Sequence, residues 1–214
     1  MKIKMKKRVL LILAVGTVLA SLMMAFGCAS PAQEHVDKAN EYFNQGQYDE
    51  AIAEFSEAIE LEPTNAEFYF DRGNVYLKQG RLQTAAADYD KAIALNPKLA
   101  MAYNNRGLAY AGQMQYDRAI DDYSKAIELD PKLAVAYDNR GLMYRDKGEY
   151  DTAIADFNKA IQLDPNLAKA YFNRGFAYNR KGDKTQAKSD LDKCIEISTD
   201  PVLTKAAEEL RERL

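Results

Sequence analysis

The chain has 214 residues, 47% of them apolar and 29% charged, with a net charge of −3. That is material for one ordinary core or one extended array of repeats. One His and two Cys supply neither metal-ligand spacing nor a Ser/His/Asp or Cys/His catalytic group, and the acidic balance opposes nucleic-acid binding, which needs a basic footprint.

The first 27 residues differ from the rest. "MKIKMKKR" carries five positive charges and no acid, and Val9–Phe26 then runs apolar. A basic stretch followed by an apolar one reads as an export signal whose positive end stays cytoplasmic. Without those five charges, 24 Lys+Arg face 32 Asp+Glu, so the exported part carries −8. Ala25–Cys28, "AFGC", resembles a bacterial lipobox, in which a small residue precedes a Cys that is lipidated and becomes the new N-terminus. Ala25 stands for the usual Leu and Phe26 for a small residue. The resemblance implies a lipid on Cys28, a short tether over residues 28–34, and a place on the periplasmic face of the bacterial cell envelope. Ala29, where some lipoproteins carry an Asp retention signal, leans toward the outer membrane. Two alternatives stay open: an ordinary signal-peptidase cut, releasing a soluble periplasmic protein, and retention of the 18-residue run as an uncleaved anchor.

From residue 35 onward the chain is periodic. Pro63, Pro97, Pro131 and Pro165 are 34 residues apart, and Gly73, Gly107, Gly141 and Gly175 keep the same step. Each period holds two apolar stripes at helical spacing, for example Tyr137, Gly141, Tyr144 and then Ala153, Phe157, Ala160. "DKGEYD" reads as the turn between them, and "LDP" ends the second helix because Pro cannot continue it. "DPVLTKAAEELRERL" predicts a last helix, with Asp200 as N-cap, Pro201 in the first turn, and Leu203, Ala207, Leu210 and Leu214 on one face.

Gly-x-x-Tyr, then Ala-x-x-x-aromatic, then Ala and Pro at a period of 34 resembles the tetratricopeptide-repeat (TPR) family. The likeness covers roughly residues 32–201. The first unit departs from it with Ala39 in the Gly slot and His35 in a large-aromatic slot. The fifth has Leu191 for the aromatic, and Pro201 arrives two residues late. The resemblance implies an all-α, right-handed α-solenoid of about five helix hairpins over residues 35–200, closed by a capping helix over residues 201–214. It implies a scaffold, not an enzyme, that needs no cofactor and holds a partner protein or peptide in a concave groove lined by the first helices. By analogy with TPR lipoproteins, that work belongs to cell-envelope assembly or maintenance.

The repeats separate shared letters from local ones. All 14 Tyr fall in four slots of the period, so they answer needs every unit has. Arg72, Arg106, Arg140 and Arg174 share one slot; Asp88, Asp122, Asp156 and Asp190, with Glu54, share another. Both slots are more often apolar in the family, and their joint change to opposite charges predicts a ladder of Arg–carboxylate pairs. Cys194 stands in a small Ala slot and is expected to be buried.

The groove stripe implied by the family lies three before, one after and four after each Gly slot. Its candidate binding residues are Phe43, Phe70, Asn74, Met101, Asn104, Leu108, Asp138, Leu142, Arg145, Phe172, Phe176 and Asn179. Phe43, Phe70, Phe172 and Phe176 are expected to be exposed aromatics awaiting a cover. Three occupants are open: a partner segment, the local cap or tether, and another copy of the chain in a homo-oligomer. Met101, Asn104, Leu108, Ala111 and Gly112 are expected to form a roomy apolar middle. No Lys or Arg stands three before a Gly slot, so the carboxylate clamp of chaperone-binding TPRs is not supported.

Overall fold

A computed structural model describes residues 30–214; Cys28 and the stretch expected to be an export signal lie outside the described residues. The chain divides into two compact units, residues 1–80 and 81–214. Among the described residues there are eleven α-helices and no strand, the all-α solenoid architecture that the 34-residue period implies. None of these helices is long and apolar enough to cross a membrane.

Residues 30–80 hold α1 (Pro31–Asn44), α2 (Tyr48–Leu61) and α3 (Ala66–Lys78). Ser30 opens α1, its hydroxyl accepting from the Gln33 amide at 3.1 Å with Pro31 in the first turn. Ala39 and Ala51 are fully buried beside Phe55, so the α1–α2 hairpin closes on small residues and one ring. Phe68 completes that core from α3 and is 5% exposed.

Residues 81–214 hold α4 (Leu82–Leu95), α5 (Ala100–Gly112), α6 (Tyr116–Leu129), α7 (Ala134–Asp146), α8 (Tyr150–Leu163), α9 (Ala168–Lys181), α10 (Lys184–Ile197) and α11 (Pro201–Glu212). The hairpins α5–α6, α7–α8 and α9–α10 each also pack on the helix before them, and α5, α7 and α9 touch in sequence. The first helices therefore share one face of this unit.

Local chemistry explains the punctuation. After α4, α6 and α8 the side chains of Asn96, Asp130 and Asp164 accept from Lys98, Lys132 and Asn166 amides at 3.0–3.1 Å, holding each Pro-containing turn. Gly148 and Gly182 close their hairpins at φ 82° and 87°, in the left-handed region glycine enters freely. At the same place in the α5–α6 hairpin stands Met114, at φ 59°.

Close helix crossing accounts for Gly107 and Gly141. A Cβ on Gly107 would lie 2.7 Å from Tyr123 Cε1, and one on Gly141 would lie 2.7 Å from Phe157 Cε1. The two rings are wholly buried, a burial worth ~2–3 kcal/mol each. The last hairpin ends on Leu191, Cys194 and Ala207, with Leu203, Leu210 and Leu214 of the final segment packed against them. Asp200 caps α11 by accepting from the Val202 amide at 2.9 Å. Cys194 is buried as expected, and burial pushes its thiol up to about 11, so it is not a reactive thiolate.

Candidate functional site

The shared arginines are structural, and they do more than pair once. Arg106, Arg140 and Arg174 each grip an aspartate sixteen residues ahead (Asp122, Asp156, Asp190) through two parallel hydrogen bonds of 2.6–2.8 Å. Each also reaches sixteen residues back: Arg106 to Asp90 at 2.6 Å, Arg140 to Ser124 at 3.1 Å, Arg174 to Asn158 at 2.6 Å. Arg72 makes the same backward bond to Ser56, at 2.9 Å. The expected ladder is therefore, in residues 81–214, a set of staples, the guanidinium groups of Arg106, Arg140 and Arg174 each joining their own hairpin to the helix before it. Tyrosines of the same helices flank them, with Arg106 5.4 Å from the Tyr103 centroid and Arg174 5.6 Å from that of Tyr171. Glu54, in the acid slot of the first hairpin, pairs with His35 at 2.6 Å.

A second ladder runs along the first helices. Asn139 donates its amide to Asn104 Oδ1 at 3.0 Å, and Asn173 donates to Asp138 Oδ1 at 3.1 Å. Both links span 35 residues, from a groove position to the Asn of the next "NRG". Arg145 joins the chain by donating to Asn173 Oδ1 at 2.8 Å, while Asp146 holds its other edge and the Phe176 ring lies 5.0 Å beneath it. In residues 30–80 the equivalent "NRG" position is Asp71, whose carboxyl burial and then nearby Glu67 push up to about 6.

Beside this ladder lies an open groove of about 530 Å³ within residues 81–214. It is lined by Asn104 and Leu108 of α5, Val135, Asp138 and Asn139 of α7, Lys169 of α9, and the segment Ile197–Asp200 with Leu203. Asn104, Asp138 and Leu108 are thus brought to one site as the stripe anticipates. Beside its apolar residues, however, the lining carries buried amides and a carboxylate, where an apolar middle is expected. Asn104 is 2% and Asp138 6% exposed, both occupied in the amide ladder. Met101 is exposed but outside the groove lining. Leu142 and Asn179 are half-buried outside it, as is Asn74 in residues 30–80.

The four aromatics are not exposed. Phe43, Phe70, Phe172 and Phe176 are all half-buried. Phe43 packs on Tyr48 with centroids 5.7 Å apart. Phe172 joins the cluster of Leu191, Cys194 and Ala207 under the final helix, and Phe176 carries Arg145. Neighbours in the stack partly cover Phe43, Phe172 and Phe176, so local capping accounts for these three.

Sequence reasoning missed Asn139, Lys169 and the Ile197–Asp200 segment. The first was hidden inside the recurrent "NRG", where Arg drew all the attention. Lys169 stands in the first turn of α9, outside the stripe, and the segment Ile197–Asp200 reaches the groove where the chain turns into the final helix, which packs beside α9. Among the described residues no cluster of His, Cys, Asp and Glu has the arrangement to hold a metal ion.

Profiles of the tetratricopeptide repeat match almost the whole periodic region. One, described as "TPR repeat", matches residues 39–80, 73–113 and 141–182; others, described as "Tetratricopeptide repeat", match residues 100–133, 123–155 and 168–201. No curated protein sequence matches significantly. Among solved structures, a MamA protein is 30% identical, with a TM-score of 0.68 over 77% of this chain and 90% of that one. YrrB, described as a TPR protein with an unusual peptide-binding site, is 26% identical, with a TM-score of 0.63 over 82% of this chain and 90% of that one. The pilF protein of Pseudomonas aeruginosa superimposes at a TM-score of 0.73 over 85% of this chain and 84% of that one, but at 19% identity this speaks to fold alone.

Proposed function

Because the chain belongs to the tetratricopeptide-repeat family, we propose that it is a binding scaffold that holds a segment of a partner protein or peptide on its first helices. In this reading a lipid on Cys28 tethers it in the bacterial cell envelope, where it serves assembly or maintenance. One observation carries the binding reading: the groove of about 530 Å³ across α5, α7 and the start of α9. It combines apolar contact surface from Leu108, Val135 and Leu203 with amides and a carboxylate that hold orientation, the combination a peptide site needs. YrrB, at 26% identity, supplies a peptide-binding parallel. The export signal and "AFGC" support the tether.

Site-specific photocrosslinking in the full chain, expressed in a bacterial host membrane, tests the groove. A photoreactive side chain at Leu108 or Val135 is expected to capture a partner, and one at Glu128 on α6 is not. Equal capture from all three positions counts against the groove, and capture of the chain's own copies would make it a self-assembly face. Metabolic labelling with an alkyne fatty acid tests the tether: label that persists in Cys28→Ser removes Cys28 as the attachment point.

A further inference from the structure

Five aspartates of residues 81–214 are buried: Asp88, Asp122, Asp138, Asp156 and Asp190. Three of them sit in the two-bond grip of Arg106, Arg140 and Arg174. Asp138, 6% exposed, has no cation within ion-pair distance among the described residues, and its hydrogen bonding there is the single Asn173 amide on Oδ1. The residue also lines the groove. A carboxylate largely removed from water and held by one neutral hydrogen bond is weakly compensated, whereas Asp122, Asp156 and Asp190 each hold an arginine. Lys169 and Arg145 act on it only through space. Arg145 is spent on Asn173, Asp146 and the Phe176 ring, and Lys169, exposed in the groove lining, makes no ion pair among the described residues.

The groove also has the shape of a socket around this charge. Leu108, Val135 and Leu203 in its lining offer aliphatic surface to a long side-chain stem. Asp200, at the rim, adds a second negative charge, although its carboxylate already caps α11.

We propose that the groove takes an extended peptide segment by a lysine or arginine side chain, its stem between Leu108, Val135 and Leu203 and its cationic head on Asp138. The proposal rests on the groove-binding reading above and names the chemistry of its occupant. Lys169 then acts against the ligand, as a like charge at the entrance.

A phage library of linear dodecapeptides, panned on the full chain in detergent, tests both readings separately. Expected is enrichment of peptides with one Lys or Arg at a fixed place, whose synthetic copies weaken at least about tenfold when that residue is changed to Met. Asp138→Asn, close in size and still able to accept from Asn173, should cause a similar loss while leaving the unfolding curve cooperative. Lys169→Ser, on the exposed lip, should tighten the same peptides about two- to fivefold at low salt. Enrichment of peptides without a cation, or of acidic peptides that lose affinity in Lys169→Ser, overturns the cation socket and leaves groove binding standing. Peptides whose binding ignores both variants and also survives Leu108→Glu overturn both, as does a library that yields no binder.

Discussion

Arg140 holds Asp156 with two parallel hydrogen bonds of 2.8 Å, and with the same guanidinium it reaches Ser124 of the preceding hairpin at 3.1 Å. Asp156 is 7% exposed, so removing the arginine strands a buried charge. Arg140→Leu is expected to cost ~3 kcal/mol. Arg140→Lys should recover less than half of that, because an ammonium lacks the fork that matches a carboxylate. Changing Asp156→Leu as well should restore most of the loss, consistent with the apolar residues usual in these two slots. Urea unfolding of the four proteins closes the cycle; additivity would mean the pair is not coupled.

Tyr123 is fully buried, and its hydroxyl finds no hydrogen-bond partner among the described residues. Burial, chiefly, pushes that hydroxyl's ionisation upward. Phe157 fills the same slot one repeat later without the oxygen. Tyr123→Phe should therefore raise stability by ~1 kcal/mol, since it deletes an unsatisfied polar group at constant packing. Gly107→Ala should lower it by ~1–3 kcal/mol, because the new methyl needs the place of the ring. Chemical denaturation with an unchanged m-value checks both.

Met114 takes a left-handed backbone, φ 59°, where the matching turns have Gly46, Gly80, Gly148 and Gly182. It is 77% exposed, so no packing repays the strain. Met114→Gly should stabilise by ~0.5–1 kcal/mol, the left-handed penalty less the entropy glycine loses on folding. A lower unfolding midpoint in the glycine variant would refute this.

Asp71 makes stability depend on pH. Its carboxyl is raised to about 6, by burial first and Glu67 second. The folded state thus holds the proton more tightly than the unfolded chain, whose Asp titrates near 4. The penalty is fully present above about pH 6 and is relieved as pH falls toward about 4. Asp71→Asn should stabilise by ~1–2 kcal/mol at about pH 7.5 and by little at about pH 4.5. Thermal melts of both proteins at the two pH values measure it; an equal gain at both would assign the effect to something other than titration.

The periodic letters made the fold legible. Gly at 34-residue steps, the Pro-containing turns and the opposed Arg and Asp slots are local or pairwise signals, and each recurs. The site was legible only in part. Asn104, Leu108 and Asp138 share a helical stripe and do share a groove. The exposure of the four Phe could not be read from a stripe, because it depends on what the next helix covers. Phe172 and the Ile197–Asp200 segment show why: both are set by how the final helix returns along α9. Asn173, which carries no signal of its own in the repeat, holds the buried Asp138 carboxylate.

The sixteen-residue reach of each arginine, forward and back, also constrains how such a chain can change length. An insertion or deletion inside any 32-residue window centred on Arg106, Arg140 or Arg174 pulls a guanidinium away from one of its two anchors. Removing one complete 34-residue period brings the next arginine into register with the same pair of positions. The array is thereby built to gain or lose whole modules, and it resists shortening by any other amount.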